Sequence, residues 1–209
     1  MRVAKTTAVK YCAFVSSSAR DRRWSEWLCS ALENYSIDKD LVGRRTFAGR
    51  VRESLQPIFR DSENLGADHS PSEQTRAALK TSRFLIVVCS PTAAKSRCVN
   101  EEIRCFKALR AVDNIIPVIV EGEPGDLERE CLPPAMRFKI GSDGMLTWQQ
   151  EEREPIAIDA RRGGDVPEVV EQKLVARLLG ISFDEINQRA QRAGQRRKTL
   201  LPAISTVLQ

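Results

Sequence analysis

The feature that most constrains the fold is the unbroken apolar run Arg83–Cys89, which reads RFLIVVC. The run is shorter than a typical helix and lacks the polar alternation of a strand with one solvated face. It is typical of a strand that is buried on both faces of a parallel sheet. Tyr11–Ser16 and Asn114–Val120 have the same character, and Leu55–Phe59 and Glu154–Asp159 are shorter candidates. The sequence therefore predicts five strands in one buried sheet.

Amphipathic segments separate these runs along the chain. Helices are predicted over 21–34, 72–81, 100–109, 167–179 and 182–198. The segments 38–54 and 121–148 contain many polar residues, glycines and prolines, and they are predicted to be irregular. Strands that alternate with helices in this way indicate an α/β fold with a parallel sheet.

The short connections between these elements favour a flavodoxin-like, doubly wound parallel five-stranded sheet with strand order 2-1-3-4-5 and extra C-terminal helices. In such open sheets, ligands bind outside the carboxyl ends of the strands, at the point where the strand order reverses. Here the reversal lies between strands one and three. We therefore expect functional residues in the loops 16–21 and 90–102.

The net charge of +5 is concentrated near the end of the chain. Gln188–Lys198 carries five positive charges and no acid, and the other 28 basic residues equal the 28 acidic ones in number. No aromatic residues lie among these charges, so no nucleic acid is expected as a partner. The charges are interpreted as a solvated helix end or as a juxtamembrane flank. Leu200–Gln209 is apolar but too short to span a bilayer, so membrane contact is expected only if the natural chain continues beyond Gln209.

The cysteines and the single histidine limit the metal and redox chemistry. Cysteine occurs at positions 12, 29, 89, 98, 105 and 131 with no C-x-x-C spacing, mostly in apolar runs, where a free thiol acts as a small hydrophobe. The N-terminus lacks the apolar stretch of a signal peptide, so a cytoplasmic location is predicted. Any histidine-based metal site or catalytic triad would have to use His69, which lies among loop residues, and no metal site is predicted.

The two crevice loops lack the common phosphate-binding signatures. Neither G-x-x-x-x-G-K-[ST] nor, after the first strand, G-x-G-x-x-G is present. Ser16, Ser17 and Ser18 stand where a phosphoacceptor domain needs clustered acids. The second loop leads into a helix with Glu101 and Glu102 in its first turn. Acids there complement the helix dipole in many proteins, but the geometry directs one of the two into the crevice.

Four segments, in this order, resemble Toll/interleukin-1 receptor (TIR) domains of bacterial type: AFVSSSARDRRWSEWL, FRDSENL, SRFLIVVCSPTAAKSRCVNEEI and IIPVIV. Later segments, EGEPGD, CLPPAMRF and EPIAIDAR, resemble the continuation of bacterial members. The resemblance predicts a TIR domain over 1–160, with its core at about 10–138. A C-terminal helical extension with the basic tail then occupies 161–209.

Many TIR domains cleave NAD⁺ at the bond between nicotinamide and ribose. The resemblance therefore implies an NAD⁺ glycohydrolase that releases nicotinamide and ADP-ribose or cyclic ADP-ribose. It implies that self-association gates the activity and that NAD⁺ is the substrate, with no further cofactor. The family's catalytic glutamate ends a W-C-x-x-E-like motif, and alignment of that motif with residues 98–102 gives the catalytic role to Glu102.

The resemblance also implies which residues contact the substrate. The positions carried over from the family are Ser16, Ser17, Ser18, Asp61, Asn64, Leu65 and Cys98. Asp61 matches the aspartate that opens the BB loop, which in this family gates the site and mediates assembly. Self-association and contact with other TIR domains are therefore the implied protein interactions.

Two departures from the family pattern leave other functions open. Family members often have an aromatic residue at the position of Ser17, and the tryptophan of the motif is replaced by Cys98. Both replacements remove surface on which nicotinamide or adenine could stack. The alternative function is a non-catalytic TIR signalling or interaction module that acts through its BB loop. A third hypothesis is that the chain binds a nucleotide signal in the same crevice. A role in bacterial immunity and a role as an effector are both compatible with these three hypotheses.

Overall fold

The computed structural model describes residues 8–60, 71–109, 112–141, 143–152 and 156–200 of the chain, with side chains described as far as residue 193. The predicted residues Asp61, Asn64, Leu65 and His69 lie outside these ranges.

A single five-stranded sheet forms the centre of the molecule. Its strands are β1 (Tyr11–Ser16), β2 (Ile58–Arg60), β3 (Ser82–Cys89), β4 (Ile115–Ile119) and β5 (Ile158–Asp159). All neighbouring pairs are parallel, and the strands lie in the order β2-β1-β3-β4-β5. The predicted α/β doubly wound fold is confirmed, and numbering these five strands along the chain gives the order 2-1-3-4-5.

Helices cover both faces of this sheet. They are α1 (Arg22–Asn34), α2 (Glu73–Thr81), α3 (Pro91–Lys95), α4 (Arg97–Lys107), α5 (Pro134–Arg137), α6 (Pro167–Leu179) and α7 (Phe183–Leu200). Helix α4 begins three residues earlier than predicted, because the hydroxyl of Ser96 accepts a hydrogen bond from the backbone N–H of Val99 and caps the helix. None of the helices in the described part of the chain is both long and apolar enough to cross a membrane.

The central strand β3 divides the core into two layers. Phe84, Ile86 and Val88 belong to the layer that contains residues of α1 and α6. Leu85 and Val87 alternate with them and belong to the layer that contains residues of α2 and α4. The alternation follows from the period of two along a strand. Burial on both sides explains why the strand is apolar at nearly every position.

Helix α6, the first of the two C-terminal helices, is part of the core layer that also contains residues of α1. Val170, Leu174, Val175, Leu178 and Leu179 are all buried there, in the same cluster as residues of β1. The predicted division of the chain at residue 160 stays a prediction, but α6 contributes to the core on which the sheet depends.

Two segments predicted to be irregular contain regular structure, and that part of the prediction was wrong. Residues 121–148 include α5 and the first part of an antiparallel hairpin, Phe138–Ile140 with Leu146–Gln150. Lys107 of α4 holds this hairpin, because its ammonium donates to a carboxylate oxygen of Glu151 at 2.6 Å and to the carbonyl of Phe138 at 3.1 Å. Burial lowers the pKa of Lys107, and the contact with Glu151 acts in the opposite direction.

The second such segment, 38–54, contains a small hairpin formed by Arg45–Thr46 and Gly49–Arg50. Its Thr46 hydroxyl donates to the carbonyl of Leu179 at 2.7 Å. A Cβ on Gly180, which ends α6 with a φ of +68°, would lie 2.7 Å from the same hydroxyl oxygen. The hairpin is therefore packed closely against the end of α6. Strands of two residues are too short to leave a period of apolar residues in the sequence.

Candidate functional site

The side chain of Glu102 lies where the end of β1 meets the beginning of α4. The hydroxyl of Ser16, the last residue of β1, donates to one carboxylate oxygen of Glu102 (Oε2) at 2.5 Å. The thiol of Cys98 donates to the other oxygen (Oε1) at 3.6 Å. Cys98 lies one turn before Glu102 on the same helix face, as expected for residues four apart. Glu102 is 1% exposed.

The neighbouring acid, Glu101, points in a different direction. Its side chain is 27% exposed and forms an ion pair with Arg104 at 2.7 Å. Arg104 also donates to the carbonyl of Gly144, so this pair faces the hairpin that follows α5. The two glutamates follow the first turn of α4 rather than lying in it as predicted, because the helix begins at Arg97. Glu102 is the one of the two that faces the crevice between β1 and β3.

A second network joins the two crevice loops through Asp21. The hydroxyls of Ser18 and Ser90 both donate to the same oxygen of Asp21 (Oδ2), at 2.5 and 2.6 Å. Ser90 follows β3 directly and also caps α3 by accepting from the backbone N–H of Ala93. All three members of this network are buried. Asp21 therefore fixes the loop after β1 to the loop after β3.

Asp21 and Ser90 lie in the two loops where functional residues are expected, but sequence reasoning does not single out either of them as a site residue. Asp21 was expected to begin helix α1, and Ser90 to begin the next loop. The available signal was their position, because each lies in a loop that follows a strand at the point of reversal. Nothing in a single sequence shows that two loops 69 residues apart share a hydrogen bond.

The other predicted site residues are distributed as follows. Ser16 and Cys98 contact Glu102, Ser18 contacts Asp21, and Ser17 is half-buried between the two serines. Asp61, Asn64 and Leu65 lie outside the described residues. The last residue before them, Arg60, donates to Glu26 at 3.1 Å.

Burial disfavours the reactive thiolate form of four thiols outside the crevice. Burial raises the pKa of Cys12, Cys29 and Cys131 to about 11, and it raises the pKa of Cys89 as well. Since the thiolate is the reactive form, these cysteines behave as small hydrophobic residues. Within the described ranges, no group of three or more His, Cys, Asp or Glu residues could hold a metal ion.

The crevice can stabilise positive charge that develops on a bound molecule. One carboxylate, shielded from water and oriented by Ser16 and Cys98, is placed at the edge where doubly wound sheets bind ligands. Because Glu102 is almost fully buried, atoms that cover it must move before a substrate can reach it.

The Asp21 network gives a stability prediction. Asp21→Ala removes the acceptor of two buried hydroxyls, and an unsatisfied buried polar group costs about 1–3 kcal/mol. We expect the free energy of unfolding to fall by about 2 kcal/mol in urea denaturation. Asp21→Asn keeps an oxygen that can accept, so its loss is expected to be smaller. Equal losses in both variants would contradict this role of the acceptor oxygen.

Comparison with known proteins gives two findings. The family model described as "TIR domain" matches residues 13–139 of the chain. The chain is also 31% identical over 142 residues to the protein named NAD(+) hydrolase ApTIR from Actinoplanes sp.. The alignment covers 62% of this chain, and the chain spans 19% of the length of that relative.

Proposed function

The chain belongs to the TIR domain family, and on this premise we propose that it is an NAD⁺ glycohydrolase with Glu102 as its catalytic residue. It cleaves the nicotinamide–ribose bond and produces nicotinamide with ADP-ribose or cyclic ADP-ribose. The observation that carries the proposal is the oriented, buried carboxylate of Glu102 at the point of strand reversal. The similarity of the chain to a protein named NAD(+) hydrolase supports the same reaction. A cytoplasmic location, where NAD⁺ is available, is part of the proposal.

The reaction requires little from the protein beyond this carboxylate. The nicotinamide ring is cationic in NAD⁺, and when the bond to ribose breaks it keeps the electron pair and leaves as a neutral molecule. No general acid is needed for that departure. The ribose becomes oxocarbenium-like, and the negative charge of Glu102 stabilises it, as carboxylates do in glycoside hydrolysis. Water then adds to the ribose and releases a proton, or a nitrogen of the adenine adds instead and closes the cyclic product.

Self-association controls access to the site in this proposal. Glu102 is 1% exposed in the isolated chain, so NAD⁺ needs an opening that assembly supplies. The direct test is NAD⁺ consumption by the purified protein at high concentration, with and without a crowding agent. Release of nicotinamide that rises more steeply than protein concentration supports the gated enzyme. If NAD⁺ remains intact when light scattering shows assembled protein, the enzyme proposal is wrong.

The second candidate function is a non-catalytic TIR module that signals through its BB loop. The half-buried Ser17 favours it, because it stands at the position where an aromatic residue would support the substrate. This function predicts that partner binding is insensitive to Glu102→Gln and sensitive to Asp61→Ala. The enzyme predicts loss of nicotinamide release in Glu102→Gln. The two variants therefore separate the two functions.

Ser16→Ala tests whether the serine orients the catalytic carboxylate. Removing its hydroxyl leaves Glu102 with one fewer donor and a wider range of orientations, so we expect kcat to fall by about tenfold, with a smaller change in KM. Ser30→Ala is the matched control, because it removes an exposed serine hydroxyl of α1 that lies outside both crevice loops. Nicotinamide release measured over a range of NAD⁺ concentrations gives both constants. Equal losses in the two variants would argue against a specific role for Ser16.

A further inference from the structure

A cavity at the opposite end of the sheet from Glu102 combines an apolar floor with positive charge. It lies at the amino ends of β1 and β3, where Cys12 and Arg83 are the second residue of each strand. Along β1, Ser16 follows Cys12 by four positions, which is about 13 Å at the rise of a strand. The cavity is therefore separate from the crevice that holds Glu102.

The floor of this cavity is apolar and its enclosed part is small. Leu55, Leu178 and Leu179 line it, and all three are buried. Its enclosed volume of about 20 Å³ has room for one group the size of a water molecule. Beside it lies a wider, open groove of about 600 Å³, whose walls include Phe47 and Leu109. The cavity and the groove share the lining residues Val9, Ala48, Gly49 and Arg83.

The side chain of Phe47 lines this groove and is 82% exposed to solvent. It lies at the turn of the 45–50 hairpin, which is itself packed against the end of α6. A large aromatic side chain that is held on a well-packed turn and left in solvent offers a flat apolar surface to a ligand. Leu109, which is 47% exposed, adds to the apolar wall.

Three arginines border the cavity. Arg50, Arg52 and Arg83 all line it, and none of the described residues that line it is acidic. None of the three has an ion-pair partner among the described residues. Arg83 is fixed in place because its guanidinium donates to the carbonyl of Ala48. Asp113 lines the adjoining groove but not the cavity. An anion placed in the cavity would therefore be stabilised by the three guanidinium groups.

We propose that this cavity and groove bind a small organic anion with an apolar body. Its acid group contacts Arg50, Arg52 and Arg83, whose planar guanidinium groups suit carboxylate, sulfonate and phosphate oxygens. Its apolar body lies along Phe47 and Leu109. The combination selects against inorganic anions, which cannot use the groove, and against neutral hydrophobic molecules, which cannot use the charge. This inference does not depend on NAD⁺ cleavage.

The test uses anilinonaphthalene sulfonate, a fluorescent aromatic anion, titrated into the full chain. We expect saturable binding that is weakened about tenfold or more in the double variant Arg50→Gln/Arg52→Gln. The matched control is Arg162→Gln/Arg192→Gln, which removes two exposed positive charges that do not line the cavity or the groove. Phe47→Ser tests the apolar wall, and we expect it to weaken binding while leaving the arginines in place. Thermal melting confirms that each variant is folded.

Competition identifies the class of ligand. Decanoate, which has an acid group and an apolar chain, is expected to displace the probe, whereas pyrophosphate at equal ionic strength is not. Displacement by pyrophosphate would show a plain phosphate site and overturn the proposal. Equal weakening in the control double variant, or binding that does not saturate, would also overturn it. Probe binding, and its weakening by the arginine double variant, is expected to persist in the Glu102→Gln background and in excess NAD⁺. That result would separate this site from the crevice.

Discussion

Glu102→Gln is expected to lower the rate of nicotinamide release about a thousandfold, the scale seen when one preorganised electrostatic group is removed from an active site. The substitution keeps the size of the side chain and an oxygen beside Ser16 and Cys98, but it removes the negative charge. Without that charge the oxocarbenium-like transition state loses its main stabilising partner in the crevice. Binding of NAD⁺ depends on other contacts, so the loss is expected in kcat more than in KM.

The chain supplies a matched control in the adjacent residue. Glu101→Gln removes the same charge from the same helix turn, but Glu101 pairs with Arg104 on the side of the helix away from the crevice. Its activity is expected to stay within about threefold of the parent, because a partly exposed ion pair contributes little. Nicotinamide is measured by chromatography and folding by circular dichroism. Similar losses in both variants would indicate a general effect of charge on α4 and would remove Glu102 from the catalytic role.

Leu174→Ala in α6 is expected to lower the free energy of unfolding by about 3 kcal/mol, the usual cost of a leucine-to-alanine change in a packed core. Leu174 is 0% exposed and belongs to the same buried layer as Ala13 and Val15 of β1. For a chain of this size each kcal/mol shifts the melting temperature by about 2–4 °C, so a decrease of about 6–12 °C follows. The result would show that α6 belongs to the cooperative unit that holds the crevice.

Two further variants calibrate this measurement. Leu85→Ala, in the middle of β3, removes the same atoms from a fully buried position of the central strand, and it is expected to cost a similar amount. Val166→Ala, at the 56% exposed residue that precedes α6, is expected to change stability by less than about 0.5 kcal/mol. A small loss in Leu174→Ala beside a large one in Leu85→Ala would mean that α6 unfolds separately from the sheet. Urea denaturation followed by two probes distinguishes these outcomes.

The fold could be predicted from local patterns because its central elements are buried on both faces. The run RFLIVVC predicts a central strand, and β3 occupies Ser82–Cys89 with almost every residue buried. Alternation of such runs with amphipathic segments then determined the parallel order and the position of the crevice. Glu102 was identified through the family motif at residues 98–102, and the structure places it in the second turn of α4. Where strands are very short, as at Ile158–Asp159, the sequence predicted the element but not its length.

The sequence by itself thus determined the sheet, the helices that cover it and the helix that carries Glu102, because each depends on the period of apolar residues within one segment. Only the tertiary structure decided which side chains meet across segments. The hydroxyl of Ser16 reaches Glu102 across 86 residues, and Ser90 reaches Asp21 across 69. The arginines beside the apolar cavity likewise come from β3 and from the segment before β2. Such contacts leave no period in the chain, since they depend on strand register and packing rather than on neighbouring residues.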